Sequence, residues 1–159
     1  SAQPRRFASL LYLPLFFSQS AGQPETPPHC SSAASDGYKR QDHQRAGKAL
    51  EALRQEGVLI VGSGMSFHNM RGYGDTRFTP LSEAFDAWLS ETMEEPPAQR
   101  EDRLNHWSSA PYAHLCHPPG HEEHLLPLMV AAGAAGEDTG QKPWSGQVLE
   151  TQLSAFRFG

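Results

Sequence analysis

Beyond Asp42, apolar residues recur at intervals of three and four. Ala46, Ala49, Leu50 and Leu53 share one face and Gly57 follows, so the pattern predicts a helix capped by Asp42 and stopped by Gly57. Val58-Leu59-Ile60-Val61 is then continuously apolar and mostly β-branched, which predicts a short strand buried on both faces of a sheet. Gly62-Ser63-Gly64 ends it. Thr79-Pro80, a capping residue followed by proline at a first helical position, precedes the stripe Leu81, Ala84, Phe85, Trp88 and Leu89. Pro96-Pro97 breaks the chain, and Arg100 to Trp107 reads as a short helix presenting Leu104 and Trp107. A third helix runs through Leu125 to Ala132 and ends near Gly133 or Gly136. Proline is tolerated only in a first turn, so Pro127 makes it begin close to His124. Pro143-Trp144-Ser145-Gly146 reads as a turn, and Ser154 to Phe158 alternates like a closing strand with both phenylalanines on one face.

The first forty residues differ. Arg5-Arg6, an apolar run from Phe7 to Phe17 and then a stretch rich in Ser, Ala, Gly and Pro imitate a secretory signal, but the run is too short to cross a bilayer as a helix. Pro14 within it favours a buried strand or an unstructured leader, and residues 18–40 read as low-complexity linker. Residues 1–40 are thus expected to be a disordered leader and linker. Residues 41–159 are expected to be an α/β domain, a partial sheet with flanking helices.

Charge and composition narrow the function. Thirteen Lys and Arg stand against 18 Asp and Glu, a net charge of −5, which argues against nucleic acid because phosphate neutralisation needs clustered positive charge. No membrane partner is expected. Cys30 and Cys116 match no metal or redox spacing, so a reducing cytoplasm is the expected compartment. Histidine is the outlier: eight in all, with His106, His114, His117, His121 and His124 close together. Imidazole binds metals and moves protons near neutral pH.

Two segments carry candidate chemistry. His68 follows the glycine-bearing loop just past the predicted strand, where open α/β sheets bind ligands. A G-x-G-x-x-G reading fails, since Phe67 occupies the third position, and no lysine follows for a phosphate loop. The second segment, His114-Leu-Cys-His117-Pro-Pro-Gly-His121-Glu-Glu-His124, offers imidazoles and carboxylates to a metal. It is not H-E-x-x-H, because His121 and His124 stand three apart. His106, His114 and His121 read as surface or supporting residues. On residues alone, a zinc-dependent hydrolase using the His106–His124 cluster through His117, His121 and His124 stays open, as does a non-catalytic α/β interaction module.

Taken together, Glu56-Gly-Val-Leu-Ile-Val-Gly-Ser-Gly-Met-Ser-Phe-His-Asn69, Trp107 with Ala110-Pro111, His117-Pro118 and Glu123-His-Leu-Leu-Pro-Leu-Met-Val-Ala-Ala-Gly-Ala-Ala-Gly136 resemble the class III extradiol ring-cleavage dioxygenases, DOPA dioxygenase type. The resemblance spans residues 41 to 159 and implies their C-terminal half. It implies a non-haem iron(II) enzyme, with zinc(II) as the alternative metal, that takes a small aromatic diol and O₂ and opens the ring beside the hydroxyls. By position His68 matches the acid–base histidine, sometimes also counted as a metal contact, and His124 matches a histidine metal ligand. Ser63, Asn69, His117 and Glu123 match positions supporting the metal or the substrate. The family's N-terminal half supplies two further metal-binding histidines, in His-Gly and Asp-His-Gly segments, and this chain has neither. The expectation is a truncated member that binds iron(II) weakly and does not open catechols by itself.

Overall fold

The computed structural model describes residues 33–159. The expectation of a disordered leader over residues 1–32 lies outside the described residues. The chain is a mixed α/β fold. Its helices are α1 (Ala33–Gln55), α2 (Thr79–Glu94), α3 (Pro97–Asn105), α4 (Ala113–Cys116) and α5 (Leu126–Ala134), followed by strands β1 (Gly140–Val148) and β2 (Thr151–Phe158). The two strands pair antiparallel and form a two-stranded sheet among the described residues.

Helix α1 begins at Ala33 rather than Asp42, so the end of the stretch read as linker is helical. Its buried face also differs from the apolar stripe. Gln44 and Gly47 are buried, whereas Ala46, Ala49 and Leu53 are exposed. The reason is a backbone contact. A Cβ on Gly47 would lie 2.0 Å from the Val130 carbonyl oxygen, and one on Gly133 would lie 2.3 Å from that of Gln44. Helices α1 and α5 therefore cross where only glycine fits, and that crossing fixes which side of α1 turns inward.

Val58 to Val61 departs most from expectation. The segment has no strand partner among the described residues and is irregular, with Val58, Leu59 and Val61 exposed and Ile60 half-buried. Continuous apolar sequence makes a buried strand only where neighbours exist on both sides.

The core lies between α2, α5 and β2, with Phe85, Leu89, Trp107, Leu128 and Phe156 all at most 1% exposed. Phe156 and Phe158 are both buried, as alternation predicted. Pro143 to Gly146 is not a turn but part of β1. The register shift between Gln141 and Trp144 accommodates Pro143, which has no N–H to give the ladder. The hairpin turns at Leu149 and Glu150, both at positive φ. On its other edge β2 is closed by side chains: Ser82 Oγ accepts from the Gln152 N–H at 2.9 Å, and Ser66 Oγ from the Ser154 N–H at 3.0 Å. Helix α5 carries Pro127 in its first turn and starts two residues after His124, as expected. Among the described residues no helix is long and apolar enough to cross a membrane.

Candidate metal site

His68 sits on an irregular loop that the core holds at several points. Phe67 is 1% exposed and meets Tyr73 and Phe78 edge-on, with ring centroids 5.5 and 6.2 Å away. Gly72 is required there, because a Cβ would come within 2.7 Å of the Phe67 ring. The Tyr73 hydroxyl donates to the Phe67 carbonyl at 3.0 Å, and burial pushes its pKa up to about 12. On the other side the His68 N–H donates to the Cys116 carbonyl at 3.0 Å, and Asn69 Nδ2 donates to the Leu115 carbonyl at 2.8 Å. The loop thus runs beside α4, clamped through backbone carbonyls rather than through a strand.

His117 is fully buried behind this loop, against Phe85 and Trp107, and its Nε2 donates to the Ser66 carbonyl at 2.9 Å. Burial lowers its pKa to about 4, the Ser66 bond opposes that shift, and the nearby His68 and His124 add to it. A neutral imidazole donating through Nε2 is its resting form.

His124 arrives from the turn before α5, and its carbonyl accepts the Met65 N–H at 3.0 Å. The imidazoles of His68 and His124 stack, with centroids 3.6 Å apart and planes at 27°. Ligand atoms of His68, Glu123 and His124 all lie within 4.8 Å of one another. The His68 pKa falls below its ordinary value, first through burial and then through His124; Glu123 pulls it the other way and His121 adds to the fall. His68 Nδ1 is buried without a hydrogen-bond partner among the described residues. Two imidazoles, one of them with a buried nitrogen that lacks a partner, and a carboxylate fit a divalent ion.

Of the residues singled out in the sequence, His68, Glu123 and His124 therefore converge. Asn69 and His117 are turned inward and hold the loop, and Ser63 is exposed. His117, His121 and His124 do not gather into the zinc set considered above: the donor atoms that converge among the described residues are those of His68, Glu123 and His124. Glu123, expected in a supporting place, brings its carboxylate within 4.8 Å of the ligand nitrogens of His68 and His124. Its place next to His124 in a turn was the available signal.

A family model described as the catalytic LigB subunit of aromatic ring-opening dioxygenase matches residues 14–155. The chain belongs to this family. Similar proteins include a 4,5-DOPA dioxygenase extradiol of Beta vulgaris, 33% identical over 128 residues that cover 77% of this chain and 46% of that protein. The dioxygenase tasH of Hapsidospora irregularis is 34% identical over 130 residues, 74% of this chain and 39% of that one. A crystal structure of an uncharacterized protein from Escherichia coli K12 superposes with a TM-score of 0.63 at 25% identity, covering 76% of this chain and 50% of the other. The chain thus spans less than half the length of these two curated relatives, and the family match reaches upstream of residue 41, where the motif resemblance starts.

Proposed function

We propose that the His68–Glu123–His124 cluster is the site of an extradiol ring-opening dioxygenase acting on small aromatic diols of the DOPA type with iron(II) and O₂. The observation that carries this reading is the convergence of these three donors from two distant segments in a chain of an aromatic ring-opening dioxygenase family. His124 and Glu123 would hold the ion. Iron(II) there would supply activation of O₂ beside the two hydroxyls of the diol, with zinc(II) the alternative occupant.

His68 has the protein's own part in the chemistry. Its lowered pKa keeps the ring neutral at neutral pH, the form that takes a proton from a diol hydroxyl and later returns it. The clamp to Cys116 and Leu115 fixes where the ring stands, and a positioned base is worth about 10²–10⁴-fold in rate. Asn69 and His117 hold the loop in that place.

The test is oxygen uptake by the iron(II)-loaded chain completed with an N-terminal half that carries the His-Gly and Asp-His-Gly segments absent here, supplied with L-DOPA or with tyrosine, which lacks the second hydroxyl. The expected result is uptake with L-DOPA alone and a product heavier by both atoms of O₂. Equal uptake with both, or uptake unchanged in His124→Ala, overturns the reading.

A further inference from the structure

Helix α1 and the segment after it leave an apolar strip in solvent. Val58, Leu59 and Val61 are 44%, 50% and 54% exposed, and the Val58 N–H is tied to the carbonyl of Leu53, itself 36% exposed. Ala46 and Ala49 continue the strip along the helix. From Leu59 to Gly64 the backbone has no backbone hydrogen-bond partner among the described residues; pairing resumes where the Met65 N–H meets the His124 carbonyl. An exposed apolar edge with free amides and carbonyls is a template for an added strand. It also leads directly into the loop that carries His68.

We propose that this strip is a docking surface whose occupant is the apolar run Leu10–Phe17 of the same chain. Apart from Pro14, every residue of Leu10-Leu-Tyr-Leu-Pro-Leu-Phe-Phe17 is large and apolar, a composition that demands burial on both faces. The family match begins at residue 14, so the end of this run belongs to the same domain as the strip. Residues 18–32 join the run to α1 and reach ~50 Å when extended, at ~3.3 Å per residue. That exceeds the ~34 Å length of a 23-residue helix, so the run can lie alongside the strip. Run, helix and strip then follow the order of a right-handed strand–helix–strand crossover with parallel pairing.

Pro14 sharpens the geometry. It has no N–H, and alternate residues of an extended chain direct their amides to opposite sides, so the strip is served by Leu11, Leu13 and Leu15. A tether within one chain gives an effective concentration of order millimolar, which favours this occupant over a second copy.

The test uses the full chain with Cys30→Ser, since Cys116 is buried. Leu13→Cys is combined in turn with Leu59→Cys and with Ile60→Cys, which covers both phases of the pairing, and dilute protein is oxidised. Neighbouring strands stand about 4.8 Å apart, within disulfide reach. The expected result is a disulfide inside one chain in at least one pair, identified by peptide mapping. A disulfide only between chains, or none in either pair, overturns the proposal. Amide exchange in the chain without added cysteines is the second arm: Leu59 to Gly64 should exchange at least about tenfold more slowly than in Leu13→Asp, with β2 unchanged. Equal exchange in the two chains overturns it as well.

Discussion

His68 and His124 come from either side of helices α2, α3 and α4, and their rings face each other at 3.6 Å. Two protonated rings repel at that distance. Burial lowers the His68 pKa, and the adjoining His124 lowers it further. Glu123 brings a negative charge to the same point.

The two histidines should separate by role. His124→Ala is expected to lose the bound metal, with affinity falling about 100-fold, the upper range seen when a metal site loses a supporting contact. His68→Ala should keep most of the metal and lose turnover, by about 10²–10⁴-fold for a missing proton carrier. Metal content by elemental analysis, read beside oxygen uptake, checks this. Equal metal loss in both variants would make His68 a ligand in its own right.

Stability should fall on acidification because of His117. Its pKa is about 4 in the fold against an ordinary 6.5, so between these values the unfolded chain binds a proton that the folded chain refuses. The contribution is complete above 6.5 and is lost as pH drops toward 4, about 3 kcal/mol in all. His68, lowered too, acts with the same sign. Urea midpoints measured across this range should decline, and His117→Gln, which can still donate to the Ser66 carbonyl, should flatten the decline.

The crossing of α1 on α5 should be intolerant of side chains. Gly47→Val would drive its Cβ into the Val130 carbonyl, at a cost of ~3 kcal/mol or more. Gln41→Val, on an exposed position of the same helix, should cost only about 0.5 kcal/mol. Thermal unfolding of the two variants gives the comparison.

The sequence made most helices legible because local signals agreed with packing. Pro80 and Pro127 marked helix starts, although Thr79 is the first residue of α2 and donates its hydroxyl to the Glu150 carbonyl instead of capping, and the stripe through Phe85 and Leu89 is the face that meets the core. Where tertiary geometry overrode local pattern, reading by period failed. Alanines set the apolar face of α1, but the glycine crossing decided what was buried. Val58 to Val61 had the composition of a strand without the neighbours that make one. Trp144 lies in a strand because a bulge tolerates Pro143, which no local turn signal announces. That His68 and His124 converge was legible through the family resemblance, and their rings stack at 3.6 Å. The carboxylate of Glu123 in the donor group depends on the turn before α5, which spacing alone does not specify.

The central claim, that Glu123 and His124 hold a metal ion beside His68, is tested most directly by anaerobic titration with cobalt(II), a coloured stand-in for iron(II), following its visible absorption. One equivalent should bind the wild-type chain and produce bands that weaken in Glu123→Gln and vanish in His124→Ala, while Glu122→Gln leaves them unchanged. Identical titrations of the wild-type and His124→Ala chains would contradict the account.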